Sequence, residues 1–230
     1  VRAVRSYVRR EGRITPAQVR ALRELSGAYC LPPGPVSLGE AFGRHAPKIA
    51  EVGCGRGEVL LHLARCNPGN DYLGIEVYRP AIGHMLNQIA ARRLSNVRIL
   101  CADAVEVFER WGARERLDAV LIFFPDPWPK KRHHKRRLIK AEFLQSLAGV
   151  VHRHARIFVA TDWADYAEQI AAIVAQSSAL RSLGPAPRPR WRPVTSFESR
   201  ALREGRAIAE FCLARAARPS GPSFADLAEL

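Results

Sequence analysis

The chain has 230 residues, and 36 Lys and Arg against 22 Asp and Glu give it a formal charge of +14. This excess points to nucleic acid or another polyanion as partner, and a hydrophobic fraction of 47% is enough for a sizeable core. Five scattered cysteines with no CxxC pair argue against a zinc site or a disulfide framework and fit a reducing cytoplasm. No apolar run reaches the roughly 18 residues of a membrane span, and the basic N-terminus lacks the apolar core of a secretory signal.

Residues 1–34 read as a basic N-terminal arm, flexible or helical from Pro16 onward, closed by the break Leu31-Pro-Pro-Gly-Pro35. Residues 35–216 read as one domain, in which a strand–helix alternation begins at about Pro47. Strands are expected at Lys48–Val52, Asp71–Val77, Asn96–Cys101, Asp118–Phe124, Arg156–Thr161 and Ala207–Leu213. Helices are expected after the glycine run at 53–57, from Pro80, over Asp103–Arg110, around Ile139, Phe143 and Leu147, and from Trp163. Pro185–Pro193 reads as a loop, and residues 217–230 as a loose tail. The alternation predicts an α/β fold, a mostly parallel sheet with helices on both faces. The last strand has no clear crossover helix before it, which leaves an antiparallel direction open to it.

Glu51-Val-Gly53-Cys-Gly55-Arg-Gly57-Glu58 lies where the first strand meets the first helix. Such glycine loops bind dinucleotides or S-adenosylmethionine. The spacing is GxGxG, position 58 is Glu where the dinucleotide pattern has Gly, and Glu51 would repel a pyrophosphate but not a sulfonium or ammonium cation. Glu76, at the end of the second strand, is placed to accept ribose hydroxyls. Asp103, ending the third, is expected to receive an adenine amino group or simply to N-cap the following helix.

Phe124-Pro-Asp126-Pro-Trp128-Pro sets a carboxylate and an indole on a rigid turn at a strand end, followed by a run of positive charge to Lys140. The turn resembles the Asp/Asn-Pro-Pro-aromatic motif of nitrogen methyltransferases, with the aromatic residue one position early. Trp128 would stack on a base or anchor the loop. His133 and His134 sit among cations, which disfavours a metal; they read as RNA contacts or solvated residues. Asp162 would N-cap the next helix, contact the substrate, or both, and Thr195 to Glu198 would close over the site.

EVGCGRG (51–57), GIEVYRPAIG (74–83), FPDPWPKKRHHKRR (124–137), ATDW (160–163) and RPVTSFESR (192–200), with RSYVRREGRITPAQ (5–18), together resemble the bacterial tRNA (guanine-N7)-methyltransferases. The resemblance runs from about residue 5 to 213. It implies a Rossmann-like class I methyltransferase fold with seven strands, S-adenosylmethionine as methyl donor, and a guanine in the tRNA variable loop (position 46) as target. By motif position it assigns Glu51, Gly53, Gly55, Gly57, Glu76, Asp103 and Asp126 to the cofactor, and Asp126 to catalysis as well. It assigns Lys130, Asp162, Thr195, Ser196, Phe197 and Glu198 to the substrate, and Arg132, His133, His134, Lys135, Arg136 and Arg137 to the RNA. The expected enzyme is cytoplasmic, a monomer or homodimer, with no metal and no membrane. Ala201 stands where a glycine is common in that family. The competing readings are methylation of an exocyclic amine such as adenine N6 and a tRNA-binding module without activity.

Overall fold

The computed structural model describes residues 12–32, 37–112 and 116–216. Seven strands form one sheet: β1 (Lys48–Val52), β2 (Asp71–Ile75), β3 (Val97–Leu100), β4 (Leu117–Phe123), β5 (Val151–Thr161), β6 (Leu180–Pro185) and β7 (Ala209–Arg215). Their order is β3-β2-β1-β4-β5-β7-β6. β1 to β5 pair in parallel, and β7 is antiparallel to both β5 and β6. β1, β2 and the second half of β4 are buried almost without a break, as strands covered on both faces must be.

The helices are α1 (Pro16–Glu24), α2 (Ser26–Tyr29), α3 (Leu38–Phe42), α4 (Glu58–Cys66), α5 (Arg79–Ala91), α6 (Ala104–Trp111), α7 (Ala141–Val150), α8 (Ala164–Ala175) and α9 (Ser196–Arg203). One core joins the sheet to α6, α7 and α8 through Phe108, Phe143, Leu147 and Ile170. The other joins it to α1, α4 and α5 through Ala21, Leu60, Met85 and Ile89. A 3₁₀-helix (Lys131–Arg136) follows β4.

α3 and α9 were not expected as helices, β5 begins at Val151 rather than Arg156, and two further elements differ from the sequence reading. β6 has the pattern Leu-Arg-Ser-Leu-Gly-Pro, exposed everywhere except at Leu180. It carries no period-2 apolar signal, because an edge strand is held by backbone pairing with β7 rather than by burial. The arm, expected to end at residue 34, is docked over its described part. Thr15 and Gln18 form a capping box, with Pro16 in the first turn. α1 then lies against α5 at Gly83, where a Cβ would come within 2.8 Å of the Gln18 carbonyl oxygen. Leu31 N–H donates to the Ile99 carbonyl (2.8 Å), so the segment ends beside β3. Residues 1–11, 33–34 and the expected tail at 217–230 lie outside the described residues.

Candidate active site

The parallel order of β3, β2, β1, β4 and β5 carries Asp103, Glu76, Glu51, Asp126 and Asp162 to one edge of the sheet, in that sequence across it. β1 and β4 are neighbours whose following strands lie on opposite sides, and such a switch point opens a crevice at the carboxyl ends of the strands.

Glu51 is at this crevice, 5% exposed, and its Oε2 atom has no hydrogen-bond partner. Burial, and behind it the charges of Glu76 and Glu58, push its carboxyl up to about 8 against a backbone hydrogen bond from Leu60. Beyond it Gly53, Gly55 and Gly57 all have positive φ (68°, 52° and 78°), a path open to glycine at little cost. Glu76 is bound into the loop. Its Oε2 accepts from Gly55 N–H (2.8 Å), and its Oε1 accepts from Val77 N–H (2.7 Å) and Tyr78 N–H (2.9 Å). Asp103 caps α6, its Oδ1 accepting from Val105 N–H at 3.0 Å.

After β4 the chain enters a turn with non-glycine residues in the left-handed region at Phe124 (φ 52°) and Trp128 (φ 46°), on either side of the exposed Asp126. Each such residue costs on the order of 1–3 kcal/mol and persists only where its surroundings enforce it. Phe124 N–H donates to the Ala160 carbonyl (2.8 Å), and Arg137 holds the turn on the Trp128 side. Arg137 was expected on the RNA surface, but it is 1% exposed. Its Nε donates to the Pro127 carbonyl (2.8 Å), Nη1 to Gln169 (2.6 Å) and Nη2 to Asp165 (2.6 Å), and the guanidinium lies 4.7 Å above the Tyr166 ring. Tyr166, whose hydroxyl pKa burial raises to about 12, accepts from Ile139 N–H.

Trp128 carries the basic turn. The Arg136 guanidinium stacks 5.1 Å from its ring centre and the His133 ring meets it edge-on at 5.9 Å. Lys130, Arg132 and Lys135 are exposed, with His133, His134 and Arg136 half-buried. His134 lies 3.6 Å from Asp165. Partial desolvation, then the charges of Arg132, Arg136, Lys130 and Lys135, hold the His133 ring below its ordinary pKa. Among the described residues no group of three or more His, Cys, Asp or Glu is arranged to hold a metal ion.

The segment from Arg188 to Arg206 covers the β4–β5–β7 half of the sheet on the α4 side. Trp191 packs on Phe158 and Phe123, and the buried Arg192 lies over Phe123 while pairing with Glu198 (3.1 Å) and Glu210 (2.5 Å). Glu198, expected to touch substrate, is 1% exposed and engaged by Arg188 (2.5 Å) and Arg192. Burial opposes its charge, yet the two guanidiniums hold its pKa below the usual value, so it anchors the segment. Thr195 is likewise buried and caps α9. Ser196 and Phe197 remain open; Phe197 is 67% exposed, and Ser196 bonds both oxygens of Glu58 through its N–H (2.8 Å) and Oγ (2.5 Å). Asp162 is not a helix cap: it pairs with Arg206 at 2.7 Å, and α8 starts without a side-chain cap. Sequence reasoning missed Glu58, Asp165, Arg188 and Arg192 as members of this assembly. The only signal was the run of alternate arginines at 188, 190 and 192 ahead of Glu198.

Residues 45–211 match the family described as "Putative methyltransferase". The tRNA (guanine-N(7)-)-methyltransferase of Nitrosococcus oceani is 47% identical over 209 residues, covering 90% of this chain and 89% of that protein. The protein of the same name from Alkalilimnicola ehrlichii is 46% identical over 215 residues, covering 90% of each. Among solved structures, a 16S rRNA methyltransferase superposes with a TM-score of 0.53 at 18% identity, covering 95% of this chain and all of that one. An aminoglycoside-resistance methyltransferase gives 0.55 at 15% identity, covering 78% and 92%. At those identities the likeness is one of fold, and it is the Rossmann-like class I methyltransferase fold. A family match over most of the chain and relatives near half identity across nine-tenths of it establish that the chain belongs to the tRNA (guanine-N(7)-)-methyltransferase family.

Proposed function

We propose that this chain is a cytoplasmic enzyme that moves a methyl group from S-adenosylmethionine to N7 of a guanine in the variable loop of tRNA. The observation that carries the reading is the pairing, at adjacent strand ends, of a buried carboxyl with one oxygen lacking a hydrogen-bond partner and an exposed carboxylate on a strained turn. The buried Oε2 of Glu51 fits a cationic group of the donor, since burying a carboxylate alone costs several kcal/mol and an adjacent cation offsets that. The open space where a Gly53 Cβ would point suits close approach of a ligand to the loop. Gly53, Gly55 and Gly57 would line that approach, Glu76 would offer the lone pair left on Oε2 to a hydroxyl, and Asp103 would flank the far side. When bound, the donor supplies an electrophilic methyl group on a sulfonium.

Guanine N7 has an in-plane lone pair and no proton, so the protein need not provide a general base. Its task is alignment of the reacting atoms in a site already polarised for the charge that develops. Asp126 takes the catalytic position: its carboxylate favours the cationic product base and fixes the base edge. Lys130, Ser196, Phe197 and Asp162 border the base, and Arg132, His133, His134, Lys135 and Arg136 meet the backbone. Withdrawing the guanine from its stack costs a few kcal/mol, which phosphate contacts on the basic turn offset.

Incubating the purified protein with unmodified tRNA and S-adenosylmethionine, then analysing nucleosides by mass, tests this. N7-methylguanosine is expected. N6-methyladenosine would move the chemistry to an exocyclic amine, and tight tRNA binding without product would leave a binding module.

A further inference from the structure

On the outer helix layer, α4, α5 and the segment ahead of α9 enclose an open cleft of about 310 Å³. Arg56, Arg65 and Arg92 border it, with His62 and His84 between them and Val194 at one side. Elsewhere in the protein guanidiniums meet carboxylates, as Arg44 does Asp71, Arg137 Asp165, Arg192 Glu198 and Arg206 Asp162, or bond backbone carbonyls, as Arg98 and Arg116 do. The three arginines of the cleft have no ion pair among the described residues, although they share one concavity. Glu58 is the only acidic residue in the lining, and both its oxygens are taken by Ser196.

Position in the helices accounts for two of the three arginines and not for the third. Arg65 and Arg92 lie at the carboxyl ends of α4 and α5, where a cation complements the helix dipole. Arg56 does not. It immediately precedes α4, where the dipole disfavours a cation, and its Nη2 stands 3.3 Å from His84 Nδ1. Burial, followed by the charges of Arg56 and Arg92, lowers the pKa of His84, as a concentrated positive potential would. Three guanidiniums against the single carboxylate of Glu58 leave the lining with net positive charge, which suits an anion, and several guanidiniums spaced along a groove suit repeated phosphates better than one small ion.

We propose that the α4–α5 cleft holds backbone phosphates of the bound tRNA, as a second RNA contact separate from the basic turn at Lys130–Arg136. The proposal rests on tRNA being the substrate. The cleft adjoins the glycine loop at Arg56 and Gly57 and the α9 segment at Val194, so RNA presenting a base at the sheet edge would continue down the α4–α5 layer.

The test is the double variant Arg65→Ser/Arg92→Ser, which removes two exposed charges and leaves the catalytic edge intact. Its tRNA Kd is measured from about 50 to about 200 mM salt beside that of the wild type. The slope of log K against log salt should become shallower by about two, with binding roughly tenfold weaker at low salt. The melting temperature should fall by no more than a few degrees, as the loss of two helix-end charges allows, and S-adenosylmethionine affinity and turnover at saturating tRNA should not change. Arg65→Lys/Arg92→Lys should keep the wild-type slope. A serine variant with wild-type slope and Kd would overturn the cleft assignment alone, provided the wild type yields N7-methylguanosine. A wild type that neither binds nor methylates tRNA would remove the substrate reading and the cleft's partner together.

Discussion

Glu51 and Arg137 show how burial decides what a charged residue does. In the unfolded chain the Glu51 carboxyl titrates near 4.5, whereas in the folded chain it is raised to about 8. Between those values the native state keeps a proton that the unfolded state has lost, so the stability contributed at this position falls as pH rises through that window. Glu51→Gln removes the titration. The melting temperature of the wild type should decline relative to this variant from about pH 5 to about pH 8; parallel curves would place the carboxylate in a wetter site than the structure does. Arg137 is chemically no different from Arg136, and the sequence set both in one polyanion-binding run. Only the fold separates them, turning one guanidinium inward to the Pro127 carbonyl and Asp165. A lysine cannot reproduce that fork. Arg137→Lys should lower turnover roughly ten- to a hundredfold through a displaced Asp126 turn while tRNA affinity stays near wild type. Lost affinity with intact turnover would return Arg137 to the RNA surface.

At the scale of elements, packing on both faces made the strands legible. β1, β2 and β4 are runs of apolar residues because helices cover both sides, and each was expected close to its observed limits. β6 could not be read, since a strand exposed along its length leaves no trace in hydropathy. The docking of α1 was hidden for another reason: it depends on a residue that is absent, the side chain Gly83 does not have. Gly83→Val should wedge α1 from α5, cost about 1–3 kcal/mol of stability and speed hydrogen exchange at residues 16–24. Unchanged exchange there would mean that α1 is held elsewhere. The α9 segment combines both difficulties. Its motif was visible, but its division into anchors (Thr195, Glu198) and open residues (Ser196, Phe197) depends on Arg188, Arg192 and Glu58, the last lying 138 residues from Ser196.

For the molecule as a whole, the acids of the site were legible one by one because each ends a strand. What the sequence did not contain was their order across the edge, which follows from the strand order, or the burial that separates residues that touch ligands from residues that hold them. The positive charge is likewise not one surface. Part of it lies on the arm, part on the turn after β4 and part in the α4–α5 cleft, while Arg44, Arg137, Arg188, Arg192 and Arg206 are paired with carboxylates. Lys135→Ser/Arg136→Ser should therefore flatten the salt dependence of tRNA binding only in part, by about two in slope; complete loss of salt dependence would leave the cleft without a role. The central claim is that methyl transfer takes place at the β1–β4 crevice with Asp126 against the target base. Its most direct test is single-turnover methylation of tRNA by Asp126→Ala with tRNA affinity measured alongside. The account predicts a rate lower by about a hundredfold or more at saturating tRNA, with affinity within about threefold of wild type. Weakened tRNA binding with an unchanged saturated rate would contradict it.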